Sequence, residues 1–424
     1  MDNLLRAPAE SDTDRHIDLH TRLSADHKLS SPVNQMPSIS DLETFHVALP
    51  TRREHKWAGL TEAIGGYILV KLSDDSGYAG WGEAPVLKDW GGDHGRYFGE
   101  SPGTTLTVID AYLRKAVLGA EVGDFAGLHA RMDKAVKGYP YAKAAIDIAA
   151  YDLAGRAFDV SAALLLGGWA RREVPVTHSI GLIGFEEAEK EVAAVAEQGV
   201  RTIKIKVGVD PIRDVEMVRR IRETVGPKTI LCVDANQGYV SPREAIRVVR
   251  RIEKYDILYV EQPVEGIDRL AEVARAIDIP VMADESAWNA RDAFEIAERR
   301  AAEIVSIYTT KPGGLYRASQ VAAVCQAAGI RCNVNGSVET GIGNRANVIF
   351  AAATPVVSLS CVVPVSTPAS SLKPGQMAGI YYKDDLITEP FVMQNGAIMV
   401  PDAPGLGWDV DLDKIRRYDA IAKT

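Results

Sequence analysis

Thr202-Ile-Lys-Ile-Lys-Val-Gly208 sets two lysines two residues apart in a run of strand-forming residues. Successive side chains of a strand point to opposite faces, so Ile203, Ile205 and Val207 share one face and Lys204 and Lys206 the other. An apolar outer face suits a parallel strand covered by a helix, which sends both lysines into the interior. An ammonium there is costly unless anions meet it. Three apolar stretches downstream each end in a carboxylate: Ile230-Leu-Cys-Val-Asp234, Ile257-Leu-Tyr-Val-Glu261 and Ile279-Pro-Val-Met-Ala-Asp284. They are spaced about one strand-plus-helix unit apart, so the charged ends are expected at neighbouring mouths of one parallel sheet.

Working outward, strand-like runs alternate with helix-length stretches near 174–180, 202–207, 229–234, 257–261, 280–284, 303–308, 331–335 and 356–360. Eight parallel strands of this kind predict an α/β barrel with its site at the C-terminal ends. Polar residues recur on the inward phase: Ser306 and Tyr308, Asn333 and Asn335, Ser358 and Ser360, beside the lysines and carboxylates. A purely structural barrel would fill such positions with valine and leucine, so this interior is built to hold charge near one mouth.

Upstream, Ile64–Leu72 and Asp74–Glu83 read as two strands joined at Asp75-Ser-Gly77, and residues 105–168 have helical spacing. The chain is therefore read as a poorly ordered extension (1–40), an α+β domain (41–168), the barrel (169–396) and a final segment (397–424) that folds back on the first domain. The net charge of -9 and the scattered lysines and arginines give no support for nucleic-acid binding. No apolar run is long enough for a membrane helix. Cys232, Cys325, Cys332 and Cys361 lack metal-type spacing and read as core residues of a reducing, cytoplasmic compartment.

Three strand-end carboxylates without thiolate or imidazole are a hard-oxygen donor set, which favours Mg2+ over zinc. Asp234, Glu261 and Asp284 are the candidate ligands, and the substrate is expected to be a small carboxylate. Its α-proton would be taken by Lys206, whose pKa is expected to fall beside two other cations, while Lys204 supplies charge to the carboxylate. Any one strand-end carboxylate is as readily a helix cap, but three in register are not. His55, His94 and His178 are read as packing or solvated residues, and Pro312-Gly-Gly314 as close packing rather than a phosphate loop.

Lys204-Ile-Lys206, Val233-Asp-Ala-Asn-Gln237, Val260-Glu-Gln-Pro263, Ala283-Asp-Glu-Ser286, Gly313-Gly-Leu315 and Asn335-Gly-Ser-Val-Glu-Thr-Gly-Ile-Gly343 together resemble the enolase superfamily, in its muconate-lactonizing subgroup. Gly80-Trp-Gly-Glu83 and Asp152-Leu-Ala-Gly155 resemble its capping domain. The resemblance implies an α/β fold, a modified (β/α)7β TIM barrel under an N-terminal α+β capping domain, with Asp234, Glu261 and Asp284 holding Mg2+ and Lys204 and Lys206 as the second-strand pair. It further implies Asn236 and Glu285 as supports of the metal site, substrate-sensing loops around Arg52–Trp57 and Lys88–Tyr97, and a homo-oligomer.

Two departures bear on the reaction. The subgroup's lysine at the end of the sixth strand is replaced by Tyr308, with Lys311 three residues later. The eighth-strand Asp-x-Asp that receives a substrate ammonium in amino-acid and dipeptide epimerases is replaced by Ser358-Leu-Ser360. A neutral phenol donates a proton or a hydrogen bond but is a weak base, so one-base chemistry is expected: an acid dehydratase, with Lys206 as base and Tyr308 or Lys206 assisting the leaving group. The alternatives are a racemase, epimerase or cycloisomerase on the same site, with Tyr308 or Lys311 on the far face, and an inactive carboxylate-binding barrel.

Overall fold

Seven parallel strands lie side by side in chain order: Thr177–Ile180, Thr202–Lys206, Ile230–Asp234, Ile257–Glu261, Val281–Ala283, Ile304–Ile307 and Arg331–Val334. The computed structural model describes residues 36–51, 56–60, 64, 66–336, 338–363 and 382–420. Most of the extension read over residues 1–40, and Arg52–His55 of the first substrate loop, lie outside the described residues. A helix follows every barrel strand, from Phe185–Glu197 after the first to Gly341–Ala353 after the seventh. Their N-termini carry local caps where the sequence offers them: Asp210 accepts from the amides of Ile212 and Arg213, and Ser241 from that of Glu244.

The stretch expected as an eighth strand closes the ring with two parallel bridges, Cys332 to Val357 and Val176 to Cys361, in place of a continuous ladder. The amide of Ser358 donates to Cys332 O at 3.0 Å and that of Thr177 to Cys361 O at 2.8 Å. The result is a modified (β/α)7β barrel. The first stretch also differs from the single strand expected over 174–180. Glu173–Pro175 pairs antiparallel with Ala397–Met399, and only Thr177–Ile180 enters the barrel. Pro175 has no N–H to continue a ladder, so the chain changes partners there.

The cap is a three-stranded antiparallel sheet, Ile39–Ala48, Gly66–Asp74 and Ala79–Pro85, with the Pro140–Ala157 helix packed across it. The turn is where the sequence placed it, with Asp74 Oδ1 accepting from Ser76 and Tyr78 and Gly77 at φ 94°. The Ile39–Ala48 strand was not anticipated, and it begins inside the stretch read as extension. Helix and sheet meet so closely that an ideal Cβ on Gly82 would lie 2.0 Å from Ala145 O, and one on Gly80 2.2 Å from Leu153 N. Gly82→Ala is therefore expected to destabilise the fold by about 3 kcal/mol through overpacking, measured by chemical denaturation. A loss under about 0.5 kcal/mol would show that the helix can step back.

The cap is joined to the barrel through buried polar contacts. Glu83 accepts from the amides of Thr340 and Gly343, both at 2.9 Å, and Asp385 accepts from that of Gly341 at 2.7 Å. Two remote carboxylates thus satisfy the first amides of the Gly341–Ala353 helix, where the positive end of the helix favours them. Among the described residues, contacts from the C-terminal part of the chain to the cap include the bridge between Tyr382 and Thr51. They continue through Ala162 N to Gly405 O at 2.8 Å and Ala48 N to Tyr418 O at 2.9 Å. Trp288 and Tyr308, at the barrel mouth, pack in the cap's apolar cluster with Trp57 and Trp90, so the cap covers the mouth.

Candidate active site

Strand register alone aligns three of the charged residues. Lys206 pairs with Asp234, and Asp234 with Glu261, on three adjacent strands. Asp284 follows the fifth strand, and Tyr308 follows the sixth. All are buried, Lys204 at 3% exposure and Lys206 at 7%. Lys204 Nζ lies 3.0 Å from Asp234 Oδ2 and 3.0 Å from Glu261 Oε1, bridging the two carboxylates. Lys206 Nζ donates to Asp234 Oδ2 and Asn236 Oδ1, both at 2.7 Å. The hydroxyl of Tyr308 donates to Asp284 Oδ2 at 3.1 Å.

Lys311 is tied to neighbouring carbonyl and carboxylate oxygens. Its three donors meet Asp284 O at 2.8 Å, Asp284 Oδ1 at 2.7 Å and Ser306 O at 3.1 Å, which ties the ends of the fifth and sixth strands together. Asn335 likewise joins strands, donating to Glu261 Oε1 and Ser306 Oγ at 2.9 Å each. Behind Asp284, Glu285 accepts from Asn236 Nδ2 at 2.9 Å, and its second oxygen is buried without a partner.

Burial and charge set the protonation states. Burial works against a charged Lys204, but Asp234, Glu261 and Asp284 outweigh it and hold the ammonium well above its usual range. Burial raises Asp234, yet Lys204 and Lys206 win and draw it below the carboxylate range. Glu261 is pushed well up by burial and then by Asp234. Burial, then Asp284 and Asp234, push Glu285 up to about 8. Burial, then Asp284, keep the Tyr308 phenol neutral.

Around the charged centre is an aromatic wall that the sequence reading located only as loops. The Trp57 ring centroid is 5.7 Å from Lys206 Nζ. Trp90 lies 5.3 Å from Tyr308 and 5.6 Å from Trp288, centroid to centroid. A tryptophan in each of two polar cap loops was the available signal. Asp93 of the second loop is docked on the barrel, accepting from Ser286 Oγ at 2.9 Å and from the amide of Gly266 at 3.1 Å. His178 is away from this centre, paired with Glu191 at 2.8 Å. Gly314 adopts φ 120°, and a Cβ there would lie 2.2 Å from the Asp147 carboxyl carbon, so Gly314 serves close packing against the cap helix, while Gly313 is set by its φ of 104°.

Among the described residues, no three His, Cys, Asp or Glu side chains stand close enough together to form a metal cage as placed. The Lys204 ammonium stands between Asp234 and Glu261 instead. The donor chemistry nonetheless fits a hard divalent ion: four buried carboxylates, mutual repulsion that raises Glu261 and Glu285, and an unpartnered Glu285 oxygen call for more positive charge than the lysines provide.

A covered barrel whose strand ends gather lysines, carboxylates and a phenol defines an acid–base enzyme of the α/β-barrel class. The chain belongs to the mandelate racemase/muconate lactonizing enzyme family of the enolase superfamily. Residues 39–167 match the mandelate racemase/muconate lactonizing enzyme N-terminal domain, and residues 187–414 the enolase C-terminal domain-like family. Muconate cycloisomerase 1 of Rhodococcus opacus is 30% identical over 387 residues, covering 90% of this chain and 98% of its own. The crystal structure of N-succinyl Arg/Lys racemase from Bacillus cereus superposes with TM-score 0.82 at 27% identity, covering 90% of this chain and 98% of that one. A dipeptide epimerase from Enterococcus faecalis, solved with Mg and the dipeptide L-Leu-L-Tyr, is similar at TM-score 0.76 and 28% identity, covering 88% and 99%. Among the described residues no helix is long and apolar enough to cross a membrane.

Proposed function

We propose that this chain is a Mg2+-dependent enzyme that removes the proton α to the carboxylate of a small molecule and completes a β-elimination, as an acid dehydratase. The observation that carries the reading is the asymmetry of the site. One side has Lys206 beside Asp234, and the other has the neutral phenol of Tyr308 where a second base would stand, with Lys311 engaged by three acceptors. Mg2+ held by Asp234, Glu261 and Asp284 would supply positive charge to the substrate carboxylate as negative charge develops on it.

Lys204, held as an ammonium, neutralises the same developing charge and stays cationic throughout. Lys206, in its neutral form, takes the α-proton; Asn236 and Asp234 fix where its nitrogen points. Tyr308 donates toward the leaving group, or Lys206 returns its proton to it on the same face. Trp57, Trp90 and Asp93 bring the cap over the mouth and exclude water.

A second reading is favoured by the relatives, which are named as a cycloisomerase, a racemase and an epimerase. In that case Tyr308 would deliver a proton to the far face. A screen of sugar acids, hydroxy acids and N-acyl or cyclic amino acids with Mg2+ in deuterated buffer separates the two. Formation of a 2-keto acid supports the dehydratase, and α-deuterated substrate of inverted configuration supports the isomerase. Turnover of no acid, with or without Mg2+, defeats both. For the dehydratase, Tyr308→Phe is expected to leave α-proton exchange within about threefold of wild type and to lower product formation about tenfold or more. Equal loss of both rates would place Tyr308 in proton removal.

A further inference from the structure

A second concave site lies at the junction of cap and barrel, on the far side of Lys311 from the carboxylate centre. A cleft of about 560 Å³ is lined by Arg96, Lys137, Lys143, Arg291, Lys311 and Arg317, with Asp133 the acidic residue among its walls. A hollow of about 440 Å³ opens beside it and shares Arg96 and Lys137. Part of the positive charge is answered. Asp292 engages Arg96 at 2.6 Å, with Glu295 at 3.6 Å and Asp93 at 3.9 Å, and Asp284 engages Lys311 at 2.7 Å. Lys143 and Arg317, however, divide one carboxylate between them, that of Asp133. Lys137 and Arg291 add two further cations at the rim.

Lys143 is nearly fully buried, and burial lowers its affinity for a proton; Asp133 opposes this, and Arg317 and Lys137 add to it. Cations crowd this cleft beyond what Asp133 offsets. The helices Pro140–Ala157 and Ala290–Arg299 begin at its edge, but their first amides are already taken by Glu100 and Asn289, so side chains must provide recognition. A concave, low-dielectric wall concentrates the field of such a cluster. Planar guanidinium forks and ammoniums are the groups that grip multiply charged oxyanions.

We propose that this cleft binds a small multiply charged oxyanion, a phosphate ester or a di- or tricarboxylate, at a site separate from the reacting centre. Calorimetry on the full chain with EDTA present, at about 0.15 M salt, tests it with pyrophosphate in one arm and citrate in the other. At least one is expected to bind with one-to-one stoichiometry, and which one binds identifies the source. Lys137→Gln combined with Arg291→Gln should weaken that binding about tenfold or more. Lys137→Arg with Arg291→Lys should restore it, and Lys206→Ala should leave it unchanged. Both rim residues are exposed, so these variants leave the core intact. No saturable binding of either anion, equal affinity in the charge-removed variant, or loss in Lys206→Ala overturns the proposal. Turnover is not the readout, so failure here and failure of the dehydratase reading are distinguishable.

Discussion

Lys206→Ala is expected to lower kcat about 10³-fold or more, and to abolish exchange of the substrate α-proton with solvent, while the protein stays folded. The size of the effect follows from the absence of a substitute. Lys204 lies two residues away on the same strand face, but Asp234, Glu261 and Asp284 hold it as an ammonium, which cannot accept a proton. Lys311 has its donors engaged on the far side of Asp284. Tyr308 would have to lose its own proton among carboxylates before acting as a base. Stability should change little, because Asp234 keeps Lys204 at 3.0 Å when Lys206 is removed. Stopped-flow or steady-state rates with the best substrate, together with NMR of recovered substrate in deuterated buffer, measure both effects. Retained exchange with lost product would assign Lys206 to the leaving group instead, and unaltered turnover would remove it from the mechanism.

The Lys204–Lys206 pair and the strand-end carboxylates could be read from sequence because each rests on a local rule. Strand alternation fixes the face, and strand-plus-helix spacing fixes the mouth. The register Lys206, Asp234, Glu261 across three strands is what those rules produce. What local periodicity does not encode is contact between distant segments. Glu83 capping a helix 257 residues later left no trace beyond a carboxylate in a glycine-containing strand. The Ile39–Ala48 strand is alternating only in part, because an edge strand over a half-exposed sheet tolerates polar residues on both sides. The partners of Lys311 were illegible for the same reason: three acceptors converge on it from the ends of two strands. Sequence gave the sign of the charge at each strand end, and packing decided which ammonium faces which carboxylate.

The largest stability effect is expected from Asp152→Ala, which should cost about 3–5 kcal/mol in urea or guanidinium unfolding. Asp152 is fully buried in the cap helix and holds three parts of the chain at once. Its Oδ2 accepts from Trp81 N of the cap hairpin at 3.0 Å and from Arg345 of the barrel helix at 3.3 Å. Its Oδ1 accepts from Leu406 N of the returning C-terminal segment at 2.9 Å and from Arg156 at 3.1 Å. Arg345 is itself fully buried, and burial outweighs its pairing with Asp152 and draws its pKa below the usual arginine value. Deleting the carboxylate therefore strands a guanidinium and two backbone amides without their acceptor, the case in which a buried pair matters most. Arg345 would keep the carbonyls of Trp81 and Trp408, at 3.1 and 2.6 Å, but those neutral acceptors do not balance its charge. Asp152→Asn, which preserves one acceptor, should lose less than Asp152→Ala. Adding Arg345→Met to Asp152→Ala should recover part of the loss, since the uncompensated charge is then gone. If Asp152→Ala loses under about 1 kcal/mol, or if the double variant is as unstable as the sum of the two single ones, Asp152 and Arg345 are not coupled and the cap is held to the barrel chiefly by its apolar contacts.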